Sequence, residues 1–349
     1  MRFIRSLFSK KEPPILTNVD FWEWFQVHEK KFFRAVSSED LPKIEKVFFT
    51  QLEPRLHQIN DGIWFLTGMY DDHTAELILT ADGATESIAF AEELAAAAPE
   101  LKNWKITSLK HPSPLNHFGI EIAGIKMDVT NLSFYAHEHP DMPDEVDIVI
   151  THKELDESNR TEITQGVYLA LDNSLGELTS ITSIDNVRII HPSEAEKELI
   201  PITKLRDYLI WREKEFVEKY QGVRRDTEHD TYMTFETTFP DGMPGVAIMN
   251  EDLLNWDRKA SHPWMSRVKI AYEAEKNGMP GEQTAVLLDE IEVEIMSELK
   301  DSDGYLNVGR LTYDSKREVF FACVEFRKPS KVLHALKKKS SRSMTIDYE

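Results

Sequence analysis

Apolar residues at three- and four-residue spacing open the chain, then give way to two-residue alternation, and the two periods exchange places several times before the C-terminus. Phe21, Trp24, Phe25, His28 and Phe32 fall at helical spacing, which predicts a helix over 17–36 capped by Thr17 or Asn18. Ile44, Val47, Phe48, Leu52 and Leu56 predict a second helix that begins after Ser38, takes Pro42 in its first turn and kinks at Pro54. The two form an N-terminal helical hairpin. Next come β-rich runs at 63–70 and 75–81 around the turn composition Asp71-Asp72-His73, an alanine-rich helix over 87–98 stopped by Pro99, and a strand at 104–109. The same order then recurs, with a hairpin of 132–139 and 146–151 across the turn 141–144, a helix over 161–175 ending near Gly176, and a strand at 187–190. Residues 118–125 are expected as extra sheet between the two. The expected fold class is α+β, built on tandem hairpin–helix–strand (ferredoxin-like) units with antiparallel sheets.

Residues 199–221 predict one long amphipathic helix, with Leu205, Leu209, Trp211, Phe216 and Tyr220 as its contacts. The polar, charged stretch 222–230 is the expected boundary. Beyond it follow strands at 232–238, 246–249 and 268–272, a helix over 282–299, a hairpin of 305–312 with 318–326, and a last helix from Ser330 that fades into Lys337-Lys338-Lys339. This divides the chain into a basic N-terminal tail (1–16), an N-terminal α+β domain (17–221), a C-terminal α+β domain (222–336) and a basic C-terminal tail (337–349).

A resemblance emerges in this last region. It rests on an alternating strand after His262-Pro263-Trp264, the turn Asn277-Gly278-Met279-Pro280, and an acidic helix with Leu287-Leu288-Asp289-Glu290-Ile291-Glu292. Gly309-Arg310 and the aromatic run Val319-Phe320-Phe321 complete it. These features resemble the bacterial family known as domain of unknown function 695, over about residues 219–335. The resemblance implies a fold and supplies no catalytic residues.

Charge sharpens the division into body and ends. The chain of 349 residues carries 41 basic and 61 acidic side chains, a net of −20. Four basic and no acidic residues fall in 1–11, and seven basic against two acidic in 327–349, so the body is still more acidic than the total. An acidic body argues against nucleic-acid binding and can steer a basic protein partner. No apolar run reaches the ~20 residues of a membrane span. The spacing of Phe3 and Leu7, and of Ile4 and Phe8, allows residues 1–11 weak contact with a membrane surface. A single cysteine, Cys323, leaves no disulfide framework, which fits a cytoplasmic setting.

His137-Glu138-His139-Pro140-Asp141 is the sharpest polar cluster. Strand alternation puts His137, His139 and Asp141 on one face, where imidazoles and a carboxylate can hold zinc or iron. The run shares the opening of the H-x-H-x-D-H motif of metallo-β-lactamase-like hydrolases, with Met142 in the last place. Asp141-Met142-Pro143-Asp144 also reads well as the hairpin turn itself, which would put the imidazoles at an exposed strand end, and this plain reading is the favoured one. Asp71-Asp72-His73 and Asp301-Ser302-Asp303-Gly304 read as turns, Cys323 as a buried small hydrophobe, and Trp22, Trp24 and Trp64 as core. Nucleophile elbows, phosphate loops and dinucleotide fingerprints are missing, so no catalytic, cofactor-binding or metal residues are assigned and no cofactor is expected. The expectation is a non-catalytic protein-binding or regulatory module with an acidic surface. The alternatives are a metal-assisted hydrolase using His137, His139 and Asp141, and a peripheral membrane-surface protein using residues 1–11.

Overall fold

In the computed structural model, which describes residues 14–113, 120–122, 124–139, 142–240, 242–340 and 344–349, the first helix begins at the predicted cap. Helix α1 (Asn18–Val36) starts on a capping box, in which the Thr17 hydroxyl accepts from the Asp20 amide and the Asp20 carboxylate accepts from the Thr17 amide. It buries Phe21, Trp22, Phe25 and Phe32, while Trp24 and His28 stay half-buried. Helix α2 (Leu41–Ile44) runs through a π-helical turn over Glu45–Phe49 into α3 (Thr50–Ile59). Pro54 lies inside α3, so the irregularity in this helix is the π turn just before it.

Strands β1 (Trp64–Asp71) and β2 (Thr74–Thr80) form the expected hairpin, α4 (Thr85–Ala96) crosses over, and β3 (Trp104–Ser108) returns parallel to β2. The sheet order is β1-β2-β3. One face, with Phe65, Ala75, Leu77, Leu79 and Trp104, meets the helices. Phe48 stacks on Trp104 at 5.6 Å and meets Phe65 edge-on at 5.8 Å, and Phe25 meets Trp104 at 5.3 Å. The Trp22 indole N–H donates to the Leu94 carbonyl at 2.8 Å, fastening α1 to α4. These elements make up the first of two compact units, Met1–Lys110; the second is His111–Glu349.

The second unit opens with the short pair β4 (Ile120–Ile122) and β5 (Ile125–Met127), then repeats the hairpin–helix–strand order. β6 (Leu132–His137) pairs antiparallel with β7 (Asp147–His152), helices α5 (Arg160–Leu175) and α6 (Glu177–Thr182) follow, and β8 (Asn186–Ile190) lies parallel to β7. A short β9 (Ile200–Pro201) adds to the free side of β6, giving the order β8-β7-β6-β9. The inner face packs Phe134, Ile148 and Ile150 against Ile163, Val167 and Leu171 of α5. Helix α7 (Leu205–Tyr220) is shorter than the predicted 199–221, because residues 200–204 are spent on β9 and a 3₁₀ turn. It buries Leu205 and Leu209 and leaves Trp211 exposed, against the expectation that Trp211 is a core contact.

The polar stretch 222–230 lies within the second unit, between its two large hydrophobic clusters. After it come β10 (Tyr232–Thr238), β11 (Pro244–Asn250), α8 (Glu251–Leu254), β12 (Trp264–Tyr272), α9 (Glu282–Glu298), β13 (Tyr305–Tyr313), β14 (Lys316–Cys323), α10 (Arg327–Lys337) and β15 (Met344–Tyr348). The six strands are antiparallel neighbours in the order β10-β11-β13-β14-β12-β15. Leu288 and Ile295 of α9 and Leu333 and Leu336 of α10 pack on Val268, Ile270, Val319 and Phe321 of the sheet. Gly309 sits at a bulge in β13 with φ +143°, and a Cβ there would fall 2.3 Å from the Ile248 carbonyl oxygen. The residues expected as a basic C-terminal tail include β15, whose Ile346 is buried and whose end is tied by Lys337–Asp347 at 2.7 Å.

Candidate functional site

β6 and β7 bring the predicted histidines to carboxylates. Antiparallel register sets His137, the last residue of β6, opposite Asp147, the first of β7. Two residues past the strand, His139 Nε2 lies 2.9 Å from Asp147 Oδ2 and 3.8 Å from Glu145 Oε2. The rings of His137 and His139 are 4.9 Å apart. Asn186, the first residue of β8, donates to the other Asp147 oxygen at 2.8 Å. Burial alone would push the Asp147 carboxyl up, but the Asn186 and His139 hydrogen bonds hold it below the ordinary carboxylate range. Next to them Asp185 accepts from the Val146 amide at 2.7 Å, and its carboxyl is pushed up by burial and by the Asp147 and Asp144 charges.

The expected trio of His137, His139 and Asp141 is therefore only partly the set that forms. Asp141 lies outside the described residues, and the carboxylates that reach His139 are Glu145 and Asp147 from across the turn. A turn over 141–144 returns the chain beside the strand it left, but which of the acidic residues that follow faces His139 is decided by strand register. The turn is closed by Met142 N–H to the His139 carbonyl at 3.1 Å, and Arg212 of α7 donates to the Pro143 carbonyl at 2.6 Å.

The remaining candidates resolve into structural parts. Asp71 accepts from the His73 amide at 2.8 Å, an Asx turn that keeps its carboxyl low. Asp301 accepts from the Thr227 amide at 3.0 Å and so pins the 222–230 stretch to the start of β13. Cys323 is buried, and burial pushes its thiol up to about 12, far from a reactive thiolate. Trp22 is core; Trp24 is half-buried with Arg55 over its ring, 5.6 Å from the centroid. Trp64 is not core but exposed. The basic segment 1–11 lies outside the described residues. Among the described residues, no helix is long and apolar enough to cross a membrane.

Two features were not singled out as sites from the sequence. Arg317 is buried and sets Nη1 2.8 Å from both Asp289 Oδ1 and Glu292 Oε1, while Arg310 Nη1 lies 2.8 Å from Glu292 Oε2. These four residues, three of them in the motifs quoted above, brace α9 against β13 and β14. The second feature is the outer face of the first sheet. There Trp64, Leu66 and Tyr70 of β1 are 43%, 45% and 58% exposed. Lys105 of β3 sits 3.8 Å from the Tyr70 ring centroid and 2.8 Å from Glu76 of β2. The matching face of the second sheet is closed: Tyr135 and Val149 are each 2% exposed, beneath Ala195 and Leu199 of its own chain.

No curated protein and no solved structure matches the chain. The C-terminal third, residues 223–348, matches the model of the Family of unknown function (DUF695), from the pinned stretch before β10 through the last strand, β15.

Proposed function

We propose that this protein is a protein-binding module that captures an extended segment of a basic partner on the open sheet of its first unit. The observation that carries this reading is the row Trp64, Leu66 and Tyr70, exposed on an edge strand whose counterpart, β6, has both its outer face and its edge occupied by residues 191–201. An edge strand offers unpaired backbone groups to a further strand, and exposed aromatic and aliphatic side chains beside it give that strand something to bury. Residues 14–110 hold sixteen acidic and nine basic side chains, which favours a segment alternating aliphatic with basic residues. Regulation of that partner would follow from occupying its segment.

The test uses the full chain and two sets of synthetic twelve-residue peptides, one alternating Val or Ile with Lys, the other alternating them with Glu. Binding is read by tryptophan fluorescence and by hydrogen exchange of amides 64–71. The Lys peptides are expected to slow exchange across β1, and Leu66→Asp, at a half-exposed position, to weaken them at least tenfold. If no peptide protects β1, or if Leu66→Asp leaves binding unchanged, the reading is wrong.

A further inference from the structure

The cluster at the β6–β7 turn does something that peptide capture does not use. His139 and Asp147 are in hydrogen-bond contact, Glu145 stands close by, and all three side chains are partly open to solvent. Among the described residues no Lys or Arg pairs with Glu145 or Asp147. Lys197 donates to the Ala136 carbonyl at 2.9 Å, and Arg212 donates to the Pro143 carbonyl at 2.6 Å and lies 3.7 Å from Glu215. Asp144 and Asp185 add further negative charge in the same neighbourhood. Two facing carboxylates and an imidazole with no basic side chain to balance them make a site for a divalent cation.

The donor set selects the kind of ion. Calcium and magnesium ask for six or more oxygens, and this site offers carboxylates with imidazole nitrogen. Zinc takes such ligands at roughly 2.0–2.2 Å in a tetrahedron, which sets neighbouring ligand atoms roughly 3.3 Å apart. The separations of 2.9 Å and 3.8 Å about His139 Nε2 straddle that figure, and the three ligand atoms all lie within 4.8 Å of one another. Asn186 holds the far oxygen of Asp147 at 2.8 Å, the kind of outer hydrogen bond that orients a metal-binding carboxylate. We propose that His139, Glu145 and Asp147 bind one zinc-class ion at this turn, with the neighbouring His137 ring beside the fourth position.

The full chain, purified without a histidine tag and stripped with chelator, is titrated with Zn²⁺ alone by calorimetry at pH 7.5, with Mg²⁺ and Ca²⁺ in parallel. One Zn²⁺ per chain is expected, bound at least tenfold more weakly by His139→Gln and by Asp147→Asn and equally well by His73→Gln at the β1–β2 turn. Zn²⁺ should also raise the melting temperature of the wild type and not that of His139→Gln. Asp147→Asn alters a carboxylate that is part of the hairpin, so the solvent-accessible His139→Gln, checked for fold by circular dichroism, decides the matter if Asp147→Asn fails to fold. Absence of stoichiometric Zn²⁺ binding, or full binding by His139→Gln, overturns the proposal and leaves His139–Asp147 a hydrogen-bonded pair.

Discussion

The first and second sheets share one plan and differ in what covers them. Both run hairpin, helix, strand, with the third strand parallel to the second, and both bury one face against helices. In the second, the chain leaving β8 crosses the outer face, lays Ala195 and Leu199 on Tyr135, Val149 and Ile190, and ends as β9 on the edge of β6. In the first, among the described residues, Trp64, Leu66 and Tyr70 stay exposed on the corresponding face and no strand pairs with the free edge of β1, with the His57 ring meeting Trp64 edge-on at 5.2 Å. A strand pattern therefore predicts a sheet without predicting whether its second face is closed. That depends on a segment which need not look like sheet at all.

The largest effect expected from this difference comes from truncating one outer-face aromatic on each sheet. Tyr135→Ala removes a buried ring that also accepts from Arg188 at 3.2 Å, and should cost about 3 kcal/mol. Trp64→Ala, at a half-exposed position, should cost less than about 1 kcal/mol. Native-state hydrogen exchange, read separately on β2 and β7, measures both. Equal losses would mean that the first face is not open.

A smaller effect is expected at the cover itself. Leu199 is partly buried, so Leu199→Ala should cost about 1 kcal/mol and speed exchange in β6, whereas Leu66→Ala should change β1 by about 0.5 kcal/mol or less. If Leu199→Ala leaves β6 unaffected, residues 191–201 lie on the sheet without closing it.

These two cases also mark what could be read from the sequence. Both hairpin–helix–strand orders were legible, because β-rich apolar runs bounded by turn residues alternate with helical spacing. The cover was not: His191 to Pro201 is mostly polar, it lays only Ala195 and Leu199 on the outer-face cluster, and its last residues were absorbed into a predicted long helix. β15 was obscured by the lysines at 337–339, although Met344, Ile346 and Tyr348 alternate toward the core. At the candidate site the histidines were legible from their spacing. Glu145 and Asp147 were not, because which carboxylate faces His139 is a matter of strand register.

Acid should separate the units less sharply. Burial, with the Arg225 charge beside it, pushes His262 of the second unit below the ordinary 6.5. The unfolded chain then takes up a proton that the folded chain resists, so stability is complete above about 6.5 and declines as pH falls through it. Urea unfolding between pH 7.5 and 5.5 should show this decline in β12, next to His262, and His262→Gln should flatten it. A slope unchanged by His262→Gln would trace the acid sensitivity elsewhere.

The smallest effect tests the open face most directly. Lys105 is 40% exposed, ion-paired with Glu76 at 2.8 Å and set over the Tyr70 ring, and Glu76 also accepts from the Thr107 hydroxyl at 2.7 Å. In water such a pair contributes about 0.5 kcal/mol and is screened by salt, so Lys105→Ala should barely move the stability of the first unit, and less at high salt. The same pair enclosed beneath another segment would behave differently. Removing Lys105 would then leave Glu76 as an uncompensated carboxylate and cost about 3 kcal/mol, with little dependence on salt. A small, salt-sensitive loss in the free protein that becomes large and salt-insensitive once an alternating Val–Lys peptide is bound would show the first sheet acquiring from a partner the cover that the second sheet takes from its own chain.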